Sequence, residues 1–562
     1  MDLCQSSADN FSQSNIDKIQ KLCKKNISKI MKTSKNNWIN NIYEYIHLAY
    51  TKNIIQILEI KKEKVNQNNK INILKLLKIF CTDSYSLIIQ EHNIDEKYVN
   101  KVINILNSCI LYQASKNKLS KQLKYNIRKY IEIHENGKKL LKLFFNKLLQ
   151  TNIIDNNYRL LFNPYTSIIN LNEIYLQIHY QYIINVKLTK DFNTSSNTNN
   201  NTNNNTNNNI NNNNQDTFFE DRIIIFTPDN KSLNKMVSNS KSKKTYSSTN
   251  KLINEDSDYL KELLIRCFLF NYLLKTNMFP HNIIIYLIDY KKEMMQIKNK
   301  KDIIFTPSEI NTGVTNGRQI IITRFEEALK TIVHELIHYH DLDFKDIPKF
   351  LSQYCLKKFQ IQDTLKDLNN NPVLNIFEAY TEAFASIINC MFFSYLNPIN
   401  SELNLQTTKE LIKYNTRIKN SLKNHISHQI LYTIVKICSI LKVIGCSSLF
   451  QFSNNNKPSL SESHKTNINN QCSVGLVEET NVFCYYFIKL YFYMYLDELF
   501  IKNTKINIGK FIISVENFNN LKVIIEKGSK NKFINELVTN ILNSKNQKIN
   551  KEDKTLKMVC LT

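Results

Sequence analysis

Two histidines and a glutamate, spaced as in a zinc-binding helix, are the strongest chemical signal in the chain. His334 and His338 are four residues apart, and Glu335 directly follows the first of them. On an α-helix, residues four apart lie one above the other, so both histidines can offer a ring nitrogen to one zinc ion. Glu335 would then lie beside the metal. A carboxylate there can take a proton from a water molecule and pass it to a leaving amine, which is the general-base chemistry of metallopeptidases.

The residues before this motif predict the strands and the helix start that would position it. Residues 319–323 predict a short buried strand, and Thr323 with Glu326 forms a capping-box pattern that predicts a helix start. Upstream, residues 310–314 predict an extended segment, and the Asn-Gly pair at 316–317 predicts a tight turn. The predicted order is strand, turn, strand and metal helix. An edge strand in this place could pair with an extended peptide substrate.

A third protein ligand is needed, because catalytic zinc sites use three. Asn371 as cap and Pro372 in the first turn predict a second helix, on which Glu378 and Glu382 lie one turn apart on the same side. Two like charges at this spacing repel each other unless a cation lies nearby. We therefore predict Glu378 as the third ligand and Glu382 as the carboxylate that orients a ligating histidine. The alternative is a solvated pair of surface carboxylates.

Asp341 is a second acidic residue near the motif. It lies seven residues after His334, and so on roughly the same face of a helix. It could be the third ligand or an acceptor for a histidine N–H. We favour the acceptor role, because an approach to the metal beside His338 is crowded. Glu378, by contrast, arrives from a separate helix with a long side chain.

These motifs carry a family resemblance. An HExxH helix followed by a helix with Glu-x-x-x-Glu resembles the gluzincin metallopeptidases. The segment 378–384, EAYTEAF, is most similar to the group of anthrax lethal factor and the Pro-Pro endopeptidases. Asp341 matches an aspartate found in that group. The resemblance covers about residues 300–395 and implies a zincin-like fold, with the two histidines and Glu378 as zinc ligands and Glu335 as general base.

One position departs from this group. Its members use a tyrosine a few residues before the glutamate ligand to stabilise the oxyanion, and residues 368–377 contain no tyrosine. The alternatives for this role are Tyr339, His340, Tyr354 and Tyr380, and the sequence does not choose among them.

The composition bounds the class of protein. The 562 residues are 42% hydrophobic, enough to fill a sizeable core, and the formal net charge is +25. The basic residues are overwhelmingly lysine, and arginine is the usual reader of bases and phosphates. Lysine, asparagine and isoleucine together are typical of AT-rich coding, so we do not expect a nucleic-acid partner. The composition is similar to that of proteins of giant DNA viruses, slime moulds and malaria parasites, and we expect a giant-virus origin.

Several signals predict an intracellular protein, in a host cytoplasm or a virion if the origin is viral. The twelve cysteines include no C-x-x-C pair, which indicates reduced thiols rather than a disulfide framework. The amino terminus has no basic start followed by an apolar stretch, so no secretory signal is visible. We found no run of about 18 apolar residues, the length that spans a membrane.

The patterns along the chain predict an α+β protein. We expect a helical amino-terminal region over residues 1–165 and a zincin-like catalytic domain over 166–400, with a small mixed sheet that begins near residue 170. Within that domain, residues 193–215 are almost only Asn and Thr and predict a disordered insertion. A helical carboxy-terminal region over 401–543 and a charged tail over 544–562 complete the division.

The function expected from the sequence is zinc-dependent hydrolysis of peptide bonds in a protein or peptide substrate, with Zn²⁺ as cofactor. The alternative from another class is a catalytically inactive, basic helical module that binds protein or nucleic-acid partners. Metal content together with peptidase activity separates the two.

Overall fold

We analysed a computed structural model of the chain. Its described residues are 11–32, 38–52, 54–65, 95–116, 120–132, 177–188, 221–229, 257–276, 278–289, 303–305, 310–316, 319–343, 349–359, 361–363, 374–399, 408–449, 476–478, 482–502, 505–507, 510–512, 517–543 and a few isolated positions. The expected insertion at 193–215 and the expected tail at 544–562 lie outside these ranges.

The fold is α+β. Its strands are β1 (Ile55–Lys64), β2 (Tyr180–Leu188), β3 (Asp221–Thr227), β4 (Asn282–Tyr286), β5 (Ile303–Phe305), β6 (Gly313–Asn316), β7 (Gln319–Ile322), β8 (Gln362–Asp363), β9 (Leu476–Glu478), β10 (Lys505–Asn507) and β11 (Lys510–Ile512). Its α-helices are α1 (Gln13–Lys32), α2 (Trp38–Thr51), α3 (Glu96–Lys116), α4 (Lys121–Ile127), α5 (Asp258–Cys267), α6 (Leu269–Leu274), α7 (Ala328–Tyr339), α8 (Lys349–Phe359), α9 (Ile376–Ile399), α10 (Thr408–Val443), α11 (Lys489–Met494), α12 (Asn517–Ser529) and α13 (Lys532–Asn543). π-helical turns span Arg128–Glu132, Cys484–Ile488 and Glu498–Lys502, and a 3₁₀ turn spans Phe325–Glu327.

The main sheet has six strands in the order β1-β2-β3-β4-β7-β6. β3, β4 and β7 are parallel, and Ile224, Ile284 and Ile321 are aligned across them. Such isoleucine runs are typical of parallel strands that are buried on both faces. β6 pairs antiparallel with β7 and forms the edge of this sheet. The predicted pair of strands is therefore confirmed, with the edge strand over residues 313–316, while residues 317–318 of the predicted turn lie outside the described residues.

The prediction that the amino-terminal region is all helical is wrong at β1. Residues 55–64 pair antiparallel with β2 and form the opposite edge of the main sheet, so the sheet begins well before residue 170 and crosses the expected boundary at 165. The segment alternates apolar and polar residues, with a register shift between Ile57 and Glu59 that interrupts the alternation. Its lysines at 61, 62 and 64 suit an edge strand, where charge discourages pairing with another chain.

The metal-motif helix α7 is buried in the middle of the protein. It packs against β6 and β7 on one side and against α5 and α9 on the others, and ten of its twelve residues, Ala328 to Ile337, are buried. A helix enclosed on all sides needs apolar residues all round. Ile332, Val333 and Leu336 fill that role with no exposed surface. One cluster of buried hydrophobic residues extends from α1 to α13 around it.

The predicted capping box at the start of this helix is wrong. The chain enters α7 through the 3₁₀ turn, and no side chain caps either the turn or the helix. The Thr323 hydroxyl instead donates to the carbonyl oxygen of Thr312 at 3.1 Å. The hydroxyl therefore links the start of β6 to the end of β7, and tertiary pairing has overridden the local capping preference.

Two further findings concern an apolar helix and the cysteines. Among the described helices, residues Thr416–Val443 are long and apolar enough to cross a membrane, but 83% of the apolar window is buried inside the protein. Burial of this extent favours a core helix. Within the described ranges, seven cysteines are buried free thiols, whereas Cys446 is disulfide-bonded, so the expectation of reduced thiols fails at that residue.

Candidate metal centre

Three side-chain atoms from α7 and α9 converge on one point. The Nε2 atoms of His334 and His338 are 3.1 Å apart, and the Oε2 atom of Glu378 lies 3.4 and 3.5 Å from them. Tetrahedral zinc bound at 2.0–2.1 Å separates its ligand atoms by about 3.3 Å. The triangle of ligand atoms therefore has the size that a zinc ion requires, and these three residues form a group that could hold a metal.

The other ring nitrogen of each histidine meets a carboxylate. His334 Nδ1 lies 3.1 Å from Glu382 Oε2, and His338 Nδ1 lies 2.6 Å from Asp343 Oδ2. A carboxylate only accepts hydrogen bonds, so each Nδ1 carries the proton. When the rings are neutral, both Nε2 atoms present lone pairs to the shared point, and this is the tautomer that binds a metal.

Asp343 takes the place that the sequence assigned to Asp341. Helix α7 ends at Tyr339, and Asp341 has the left-handed φ of 52° that ends many helices. The amide of Asp341 donates to His338 O, and the amide of Leu342 donates to Ile337 O, which forms a Schellman turn. Helical spacing no longer applies after this turn. The prediction for Asp341 is therefore wrong: that residue is exposed, and the turn directs Asp343 back to His338.

Glu382 is completely buried between two lysines. Lys330 Nζ lies 2.7 Å from its Oε2 atom, and Lys489 Nζ lies 3.5 Å from its Oε1 atom. Burial alone would raise the pKa of Glu382, but the two ammonium groups and His334 hold that pKa well below its usual range. Burial lowers the pKa of Lys489 to about 8 despite the nearby carboxylate. Glu382 is therefore an anion with fixed orientation, as a residue that orients a histidine must be.

The charges around the triangle favour protonated histidines when no metal is bound. Burial alone would lower the pKa of both histidines. Hydrogen bonds to Glu378 and Glu382 outweigh burial and raise the pKa of His334. The charge of Glu378 and the hydrogen bond to Asp343 raise the pKa of His338 well above its ordinary value. Burial likewise opposes ionisation of Glu378, yet the adjacent histidines hold its pKa far below the usual range. In the metal-free site these protons compensate the carboxylates, so a metal ion must displace them in order to bind.

The edge strand holds Glu335 in place. The Thr315 hydroxyl lies 2.8 Å from Glu335 Oε2 and 2.9 Å from the Glu335 carbonyl oxygen. Gly313 lies directly against the same side chain: a Cβ atom at this position would be 2.6 Å from Glu335 Oε1. Only glycine permits this approach of strand to helix. The carboxylate is therefore confined between α7 and β6, and only 4% of Glu335 is exposed.

Tyr485 completes the site from a distant part of the chain. Its hydroxyl donates to Glu378 Oε2 at 3.2 Å, and its ring lies edge-on to His334 with ring centres 6.3 Å apart. Burial, together with the charges of Glu378 and Glu335, raises its pKa well above the ordinary value, so the phenol keeps its proton. Tyr485 lies in the π-helical turn Cys484–Ile488, and such turns are often found at functional sites.

The four residues that the sequence offered for oxyanion stabilisation make the following described contacts, none of them with the ligand triangle. The pairs are Tyr339 with Phe279, His340 with Phe270, Tyr354 with Glu526, and Tyr380 with Phe384. Nothing in the sequence singles out Tyr485 among 29 tyrosines. Gly313 could have been noticed in the sequence, because the chain has only seven glycines and this one lies where the edge strand approaches Glu335 closely.

Comparisons with protein-family models, with curated proteins and with solved structures find no match for this chain.

Proposed function

We propose that the protein is a zinc-dependent endopeptidase. The observation that carries the proposal is the triangle of His334 Nε2, His338 Nε2 and Glu378 Oε2, with edges of 3.1 to 3.5 Å. Two histidines and a carboxylate with one open position are the ligand set of catalytic rather than structural zinc. A bound zinc ion supplies Lewis acidity at the scissile carbonyl and activates water at neutral pH.

The residues around the triangle have separate roles in the proposed reaction, namely proton transfer and orientation of the histidines. Glu335, held by Thr315, takes the proton of the attacking water and delivers it to the leaving amine. Glu382 and Asp343 keep the two histidines in the metal-binding tautomer. The ligands on α7 and α9 are fixed by the surrounding core, so the site needs little reorganisation before the reaction.

Tyr485 is our choice for the oxyanion-stabilising role that the sequence left open. Its hydroxyl lies at the ligand triangle and remains protonated, so it can donate a hydrogen bond to the negatively charged oxygen that develops during attack. Tyrosine in this role accords with the resemblance to the lethal factor group. Here it arrives from a helix more than 100 residues after Glu378, and its hydrogen bond to Glu378 spans 107 positions.

The edge strand β6 supports an endopeptidase that binds extended chain. β6 lies at the sheet edge beside α7 and contacts the proposed general base directly. A peptide that pairs with β6 through main-chain hydrogen bonds would pass the metal centre with its backbone extended. A mixed sheet with an antiparallel edge strand beside two metal-binding helices also supports the zincin-like fold that the motifs imply.

The proposal is tested by cleavage of a proteome-derived peptide library with the zinc-loaded protein and its Glu335→Gln variant. We expect the wild type to cut a subset of peptides. The variant should keep zinc and fold while it loses cleavage by at least about 100-fold, the usual contribution of a general base. Equal cleavage by the two proteins would refute the assigned mechanism. A zinc-loaded wild type that cuts no peptide would favour the catalytically inactive binding module.

A further inference from the structure

Lysines from two packed helices form a basic patch on the surface. Helix α1 packs against α10, and the Cys23 thiol of α1 is hydrogen-bonded to Ser427 of α10. Lys24 directly follows Cys23, and Lys423 lies one turn before Ser427, so both lysines lie beside this contact. Helical spacing places further lysines on the same sides of the two helices. The basic patch comprises Lys21, Lys24 and Lys25 on α1 and Lys419 and Lys423 on α10.

The positive charges of the basic patch repel one another. Partial burial lowers the pKa of Lys423, and the charges of Lys24 and Lys419 lower it further. Apart from Lys423, which is partly buried, the lysines of the patch are exposed, and none of the described ion pairs involves any of the five. Asp17, one turn before the first lysine of the patch on α1, accepts a hydrogen bond from Gln13. A bound anion would remove the repulsion.

The composition of the basic patch favours a partner that binds through charge alone. Among the described residues, the exposed large hydrophobic side chains all lie on other elements, and they are Leu58, Leu111, Met278, Phe350 and Val523. Protein interfaces usually have an apolar centre, and exposed lysine–carboxylate pairs contribute little by themselves. A nucleic acid differs, because lysines that neutralise its phosphates release condensed counterions, and this release supplies non-specific affinity.

We propose that the basic patch binds the phosphate backbone of a nucleic acid without sequence preference. The scarcity of arginine led us to expect no nucleic-acid partner. That scarcity weighs against base recognition and bidentate phosphate contacts, whereas lysine binds a phosphate as a point charge. Backbone contacts position a protein on nucleic acid and carry no sequence information. This binding would be a second activity, independent of the proposed peptidase function.

The test measures binding of the full chain to a fluorescent 20-base-pair DNA duplex by anisotropy, over a range of salt concentrations. The variant combines Lys24→Gln, Lys419→Gln and Lys423→Gln. Each phosphate contact contributes about 0.9 to the slope of log affinity against log salt concentration. We therefore expect the variant to reduce this slope by about 2 to 3 and to weaken binding at 0.1 M salt by at least about 10-fold.

Two further variants make the test specific to the basic patch. The matched control combines Lys52→Gln, Lys64→Gln and Lys97→Gln, three exposed lysines that lie after α2, on β1 and on α3. It removes the same number of charges from the chain and should keep the wild-type slope. Replacement of the three patch lysines by arginine keeps the charges and should preserve binding.

Each outcome decides the proposal. Equal weakening by the two glutamine variants would show that affinity comes from the net charge of the whole chain, and the basic patch would not be the site. Tighter binding of polyglutamate with a matched number of charges would make the partner an acidic protein instead. A more than 10-fold preference between AT-rich and GC-rich duplexes would contradict backbone binding. Zinc content and peptide cleavage, measured on the same variants, should be unchanged, so this proposal and the peptidase proposal can fail separately.

Discussion

The two proposed ligand histidines are oriented in different ways. His334 is oriented by Glu382, which is completely buried and paired with Lys330 and Lys489 from two other parts of the chain. His338 is oriented by Asp343, which follows it by five residues and reaches it through a local turn. The side chain of His338 is 19% exposed, against 8% for His334. One half of the site therefore depends on long-range packing of charges, and the other on the geometry of a helix end.

This difference has energetic consequences. Removing one member of a buried charged group leaves the others without compensation, and the whole fold loses stability. Removing a carboxylate from a partly exposed helix end leaves a histidine that water can reach. We therefore expect the His334 side to govern folding and the His338 side to govern mainly metal affinity.

The largest expected effect is on stability at the His334 side. Glu382→Gln removes the only carboxylate that Lys330 and Lys489 both contact among the described pairs. The unfolding free energy of the metal-free protein should fall by about 3–5 kcal/mol, as for other broken buried ion pairs. Urea denaturation measures this. Glu536→Gln, which breaks an exposed pair with Lys532, is the control and should change little. A loss no larger than the control's would contradict the stabilising role.

The second prediction concerns pH. The pKa values of both histidines are raised in the metal-free protein, so one or two protons are held at the facing Nε2 atoms above the pH at which an ordinary histidine loses its charge. Zinc must displace those protons. Affinity should therefore fall as the pH drops through the raised pKa values, by roughly 10- to 100-fold per pH unit for one or two displaced protons. Calorimetry in buffers with different ionisation enthalpies counts the protons. Zinc binding that releases none near pH 7 would disagree with the charges described.

The third prediction compares two aspartates on the His338 side. Asp343→Asn should weaken zinc binding about 10- to 100-fold, because the acceptor of the His338 Nδ1 proton is lost. Asp341→Asn makes the same charge change two residues away and should have little effect, since asparagine also tolerates the left-handed conformation. Competition with a chelator gives both affinities. The reverse order would restore Asp341 to the role that the sequence suggested.

The smallest expected effect is at Thr315. Thr315→Val keeps the strand but removes the hydrogen bond to Glu335 Oε2, so kcat for a cleaved peptide should fall by roughly 10-fold, part of a general base's contribution. KM and zinc content should be unchanged, and Thr315→Ser should recover most of the rate. If Val and Ser reduce kcat equally, the hydroxyl does not position the base.

The His334 side and the His338 side also differ in how much of each could be predicted from the sequence. The i, i+4 rule places His334 above His338 and Glu378 above Glu382 wherever the helices are regular, and the structure brings all four together. Asp341 was misjudged because the helix ends before it, and a left-handed residue breaks the spacing. Helical periodicity therefore predicts side-chain placement within a helix and fails immediately after its end.

Long-range partners could not be read from the sequence. Lys489 and Tyr485 each lie more than 100 residues from the carboxylates that they contact, in an aromatic segment with no chemical motif. Their placement depends on how α11 and the preceding π-helical turn pack against α9. In the same way, β1 joins the sheet through pairing with a strand that begins more than 100 residues later. Local pattern carries no information about such pairings.

The most direct test of the account is the zinc content of the purified, zinc-dialysed protein and of three variants, measured by elemental analysis. We predict about one zinc ion per chain for the wild type and for Asp341→Asn, with little or none for His334→Ala and Glu378→Gln, since each of the latter removes one of only three ligands. Full zinc in both ligand variants, or none in the wild type, would contradict the metal centre on which the proposed function depends.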